Sequence, residues 1–148
     1  MLWKILIFLC FLAIMPHQVA AAKDDKKNST KLSPNITEIP PPIDKALTTY
    51  ELKYIIGAHK FGEFLAFEKK SAVFLFGSKH NPQIAVGYPD TGDGFRVSAV
   101  DVVSIQDSKT GELVITRGGP GVRQIEVSIS ASQTKLWFYH IKVYGTLW

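Results

Sequence analysis

Three histidines, a scatter of carboxylates, several strand-borne serines and one glycine-rich stretch are the residues through which this chain could do chemistry. After residue 22 the histidines are His59, His80 and His140. None stands two to four residues from another, the spacing by which a helix or hairpin converges zinc ligands. His140 falls among Leu136, Phe138 and Tyr144 on its strand face and reads as a packed or surface histidine. The one cysteine is Cys10, near the start of the chain, so the rest has no thiolate to serve as ligand or nucleophile. No Gly-x-Ser-x-Gly elbow occurs. Ser71, Ser98, Ser128, Ser130 and Ser132 sit in or beside strand-like runs, with no histidine near them in sequence. Asp90, Asp93 and Asp107 lie in turns and lack the alternate acidic spacing of a calcium loop. Gly118-Gly119-Pro120-Gly121 has neither a following Lys-Ser/Thr nor a helix, so it is no phosphate cradle. Its glycines are expected to supply positive φ at a turn or bulge. The chain therefore reads as a non-enzyme, with no metal, no cofactor and no catalytic residue. Its candidate contact residues are Asp90 and Asp93 in the loop 89–94, Arg117, Gly118, Gly119 and Gly121 in the loop 117–121, and Trp148, a large aromatic at a chain end.

The elements that must position these residues fall into three stretches. Residues 1–22 have the three parts of a signal peptide: a short start with Lys4, an apolar run over 5–15, and small residues after Pro16. The apolar run is shorter than the roughly 20 residues that span a bilayer, and cleavage is expected after Ala21 or Ala22. Residues 23–47 are rich in Lys, Asp, Asn and Pro, including Pro40-Pro41-Pro42, with isolated apolar side chains. Such a composition buries too little to offset its ordering entropy and reads as a flexible, partly stiffened arm. It carries two glycosylation sequons, at Asn28 and Asn35.

Residues 48–148 read as one all-β domain of about eight short strands, an antiparallel sandwich or barrel. The strands are expected over 52–56, 62–67, 71–76, 83–88, 95–104, 112–116, 125–130 and 136–144. The run 71–76 is apolar throughout, as for a strand buried on both faces. Ile125, Val127 and Ile129 alternate with polar residues, and Trp137, Tyr139, Ile141 and Val143 share one face.

Composition narrows the partners. The chain has 148 residues, 46% hydrophobic and 20% charged, with a net charge of +4. Fourteen of its 17 basic residues are lysines, and they are scattered rather than gathered on one face. A solvated surface is expected, with no direct nucleic-acid binding, and no membrane association once the leader is removed. Without disulfides the domain must be held by its core. An unidentified protein or a small apolar ligand is left as partner. A closed apolar pocket of about 300 Å³ or more would favour the ligand, and an exposed apolar patch above roughly 600 Å² the protein.

Gly118-Gly119-Pro120-Gly121, the alternating strand that follows, and Phe138-Tyr139-His140-Ile141-Lys142-Val143-Tyr144-Gly145 resemble the insect family of the second multiprotein bridging factor. Val97-Ser98-Ala99-Val100-Asp101-Val102 resembles the family's preceding strand, and Ile56-Gly57 with Gly62-Glu63 its opening. The resemblance runs from about residue 50 to 145. Two positions depart from it. Ser104 stands where the family usually has Asp, and Ser132-Gln133-Thr134-Lys135 lacks the family's glycine before the last strand, so a different final turn is expected.

The resemblance implies one of two roles. The founding member is described as a transcriptional co-activator bridging a DNA-bound regulator to the general transcription machinery. Other members are described as salivary or otherwise secreted peptides. The leader and the sequons favour the second, a secreted binding protein of saliva, gut or haemolymph; the co-activator is the alternative.

Overall fold

The computed structural model describes residues 29–40 and 47–147. The leader, Asn28, Pro41-Pro42 and Trp148 lie outside them. Ten strands form in chain order: β1 (Thr30–Leu32), β2 (Asn35–Ile39), β3 (Thr49–Gly57), β4 (Phe64–Lys70), β5 (Phe74–His80), β6 (Gln83–Tyr88), β7 (Arg96–Gln106), β8 (Gly111–Gly118), β9 (Ile125–Ala131) and β10 (Thr134–Thr146). All pair antiparallel, in two sheets ordered β1-β8-β9-β6 and β2-β3-β7-β10-β4. The eight strands from β3 onward are those expected from the sequence. Trp137 pairs with Gln106 of β7 and with Phe74 of β5. β5 therefore shares the edge of β10 with β4, β5 along its beginning and β4 along its end.

Period-two patterning builds the core between the sheets. Ile125, Val127 and Ile129 from one sheet meet Leu52, Tyr54, Val100, Val102, Trp137, Tyr139, Ile141 and Val143 from the other, all buried. A small polar network is sealed beneath them. The Trp137 Nε1 proton goes to Ser104 Oγ (3.0 Å), and Ser104 donates to Gln106 Oε1 (3.0 Å). The Gln106 amide nitrogen donates to the carbonyls of Ser108 (3.0 Å) and Thr110 (2.8 Å). Ser104, one of the two departures from the family pattern, is thus fully engaged. At the other, Gln133 takes the left-handed conformation (φ 54°), with its N–H donating to Asn81 Oδ1 at 2.7 Å.

Asp107, read as a turn residue, braces the start of β10. Burial works to raise its pKa. The Thr134 hydroxyl and the N–H groups of Lys135 (2.7 Å) and Leu136 (3.2 Å) outweigh that and hold the carboxyl below its ordinary value.

The Tyr54 hydroxyl has no hydrogen-bond partner among the described residues, and burial pushes its pKa up to about 12. A buried, unmade hydrogen bond is unfavourable. Tyr54→Phe is expected to leave the fold intact and raise its stability by up to about 1 kcal/mol in urea unfolding. A loss of that size would mean the hydroxyl is satisfied.

Two expectations change. The stretch 23–47 contains β1, which adds to the edge of β8, and β2, which adds to the edge of β3. Few apolar residues are needed for this, because an exposed edge offers a row of backbone donors and acceptors. Leu32 packs against the core and Lys31 Nζ meets Glu112 Oε2 at 2.9 Å. The second change is β5. The run expected to be buried on both faces is instead exposed, with Val73 at 59%, Phe74 at 39% and Leu75 at 76%.

Candidate functional site

The two loops singled out by sequence converge at one end of the sandwich. β6 ends at Tyr88, whose buried hydroxyl accepts the Phe95 N–H at 2.8 Å and so closes the loop 89–94. Opposite it, β8 ends at Gly118 in the left-handed region (φ 66°), where a Cβ would lie 2.0 Å from the Gln124 carbonyl oxygen. The loop then reaches the other sheet before returning to β9. Gly121 N–H donates to the Val97 carbonyl (2.8 Å), and Val97 N–H donates to the Val122 carbonyl (2.9 Å). The glycine loop is a clip between the sheets, as the turn-or-bulge reading requires.

Between the loops lies an open cleft of about 270 Å³, lined by Gly87 to Gly92 on one wall and by Arg117, Gln124, Ile125 and Glu126 on the other. It continues into a hollow of about 210 Å³ bearing Asp93, Val122 and Arg123. A further hollow of about 180 Å³ is lined by Phe95, Arg96, Arg123, Thr146 and Leu147. The structure thus brings Asp90, Asp93 and Arg117 to one rim. Gly118, Gly119 and Gly121 shape the loop and do not line the cleft. Asn35 is exposed on β2, opposite Lys53. Trp148 and Asn28 lie outside the described residues. The space between the sheets, lined by Phe67, Val86, Val100 and Ile141 among others, amounts to about 10 Å³. That is room for about one water at most.

Sequence reading missed a polar cluster on the outer face of the larger sheet. His59 lies in the β3–β4 loop. Its Nδ1 meets Glu63 and its Nε2 lies 3.2 Å from Asp101 Oδ1 on β7. Its ring packs edge-on against Tyr144, with centroids 4.7 Å apart. Glu63 Oε2 also accepts from Ser98 Oγ (2.6 Å) and from the Lys60 N–H (3.0 Å). The i,i+4 spacing of His59 and Glu63 was visible. Asp101 and Ser98 join them only through the pairing of β3 with β7. His140 has a carboxylate of its own, Glu68 Oε1 at 2.7 Å. Among the described residues no three such groups converge to hold a metal ion. The Ser98 hydroxyl is buried and donates to the Glu63 carboxylate that also holds His59. The cluster is a clasp that fastens the β3–β4 loop to the sheet.

The clasp depends on pH. The hydrogen bond to Glu63, aided by Asp101, holds His59 above its ordinary 6.5. Its contribution is full below pH 6.5 and fades as pH rises through the raised value. Burial works to raise Glu63, but bonds from Ser98, His59 and the Lys60 N–H outweigh it and hold the group below its ordinary 4.5. That contribution is full above pH 4.5 and fades as pH falls through the lowered value. The clasp is therefore tightest between about pH 4.5 and 6.5. Melting temperature is expected to fall between about pH 6 and pH 8, and to fall less in His59→Gln. An identical fall in both proteins would contradict the clasp.

Residues 56–145 match the family described as Transcription activator MBF2. The chain belongs to that family. The match runs from the last two residues of β3 to Gly145 in β10 and covers more than half of the chain, leaving β1, β2 and most of β3 outside it. No curated protein and no solved structure matches the chain. Within the MBF2 match, the glycine clip, the clasp and both rim loops are all included.

Proposed function

We propose that this MBF2 domain works by holding protein partners, without catalysis or cofactor, and that strand β5 is one of its contact surfaces. The exposure of Phe74 and Leu75 on edge strand β5, with Val73 exposed just before it, carries the reading. Edge strands expose backbone groups that pair with an added strand, and natural proteins usually blunt them with charge or proline. Here the start of β5 is apolar instead. The family's description as a transcription activator supports the bridging role, in which a DNA-bound regulator is joined to the transcription machinery.

A secreted binding protein is the second reading. The signal-peptide pattern over residues 1–22 and the exposed sequon at Asn35 favour it. Both readings use protein contact and differ in compartment. Expression of the full chain in insect cells, with medium, cytosol and nuclei weighed by mass before and after glycan removal, separates them. Untrimmed chain in the nucleus supports the activator. Trimmed, glycosylated chain confined to the medium overturns it in favour of the secreted binder.

A further inference from the structure

We propose that the hollow at the C-terminal end of β10 is a second docking site, which takes an acidic peptide segment bearing a bulky apolar side chain. This goes beyond the β5 contact. The hollow, about 180 Å³, is walled by Phe95, Arg96, Arg123, Thr146 and Leu147. Phe95 is 45% exposed and Leu147 67%. Among the described residues no carboxylate lines it, and neither arginine forms an ion pair or a side-chain hydrogen bond. The chain has only three arginines, and the third, Arg117, lines the cleft next along the rim.

Two unpaired guanidinium groups beside an apolar recess suit a specific partner. Each planar fork matches a carboxylate, and Arg and aromatic side chains around a pocket are typical of binding hot spots. Nucleic acid fits less well, because phosphate binding favours a broad basic surface, whereas Asp90 and Asp93 stand on the same rim. Those two acids also give direction. They would repel an acidic peptide laid toward the loop 89–94, leaving Arg96 and Arg123 as the place where its carboxylates sit. Position strengthens the case. Trp137 of β10 pairs with Phe74 of β5, and Thr146 pairs with Arg96. About nine residues of strand, roughly 30 Å, separate the two surfaces. Both can be occupied at once, as a bridging protein requires.

Fluorescence anisotropy on the full chain tests the site, using a short labelled peptide in which Asp and Glu alternate with Phe and Leu. Saturable binding is expected, at least about tenfold weaker for the same peptide with Lys for its acids or Ala for its apolar residues. The double variant Arg96→Glu, Arg123→Glu is expected to bind at least about tenfold more weakly, with an unchanged melting curve. Should that variant unfold, Arg123→Ala, which lies outside every strand, serves in its place. Absence of saturable binding, equal binding of the Lys peptide, equal competition by duplex DNA or unchanged binding by the variant would each overturn the proposal. So would a change in the oligomeric state of the chain on substituting the arginines, which would make a second copy the occupant. Loss of peptide binding in Leu75→Lys would also overturn it, because the peptide would then be using β5. A chain that binds the peptide but activates no transcription sinks the bridging role and leaves this site standing.

Discussion

Trp137→Ala is expected to cost about 3–5 kcal/mol of stability, the range for truncating a large buried aromatic. Trp137 is 3% exposed and stands where the strongest features of the fold meet. Its indole N–H anchors the buried Ser104–Gln106 network, and its ring contacts Tyr139 (5.3 Å between centroids) and Phe74 of β5 (5.9 Å). Single domains are typically stable by only about 5–15 kcal/mol, so the variant should unfold at a far lower urea concentration, with an unchanged slope. β5 pairs with β10 at few positions, and Phe74–Trp137 is one of them. Amide exchange should therefore rise first in residues 74–80. A loss below about 1.5 kcal/mol, the scale of replacing one well-packed apolar residue by a similar one, would mean that the site collapses around the missing ring and that Trp137 is no keystone.

Gly118→Ala is the second large effect, expected at about 2 kcal/mol or more. The left-handed backbone alone disfavours an L-residue by roughly 1–2 kcal/mol. The added Cβ would also meet the Gln124 carbonyl oxygen at 2.0 Å, which forces the β8–β9 turn open. Gly121 is the internal comparison. It has a positive φ of 91°, but nothing stands within 4 Å of its Cβ position. Gly121→Ala should therefore cost less than Gly118→Ala in the same unfolding assay. Equal losses would show that backbone conformation alone sets the requirement, and that close approach at Gly118 adds nothing.

The strands of the sandwich were legible because their side chains alternate. Ile125, Val127 and Ile129 are all buried and the residues between them are half-exposed, as period two requires. β10 behaves the same way from Trp137 to Val143. The glycine clip was legible as well, since consecutive glycines around a proline have few other uses. β5 was misread for a physical reason. An unbroken apolar run shows that both faces are apolar, but not that either is covered, and here β5 sits at a sheet edge with Phe74 and Leu75 exposed. β1 and β2 were read as arm because counting apolar residues measures burial and misses backbone pairing at an edge. At the rim, Asp90, Asp93 and Arg117 could be picked out as loop residues. Arg96 and Arg123 could not, because only the return of β10 alongside β7 brings Thr146 and Leu147 to them. The clasp failed in the same way, since Asp101 lies 42 residues from His59 in sequence.

The proposed protein contact of this MBF2 domain at β5 can be read in a reporter assay. The full chain is fused behind a DNA-binding module, which also masks the leader, and a reporter is read for the parent and for Leu75→Lys. Leu75 is 76% exposed, so its replacement should change stability by no more than about 0.5 kcal/mol. Activation by the parent is expected, with a loss of about tenfold in the variant, the size of a hot-spot truncation, and melting unchanged. Equal activation by both proteins would contradict it.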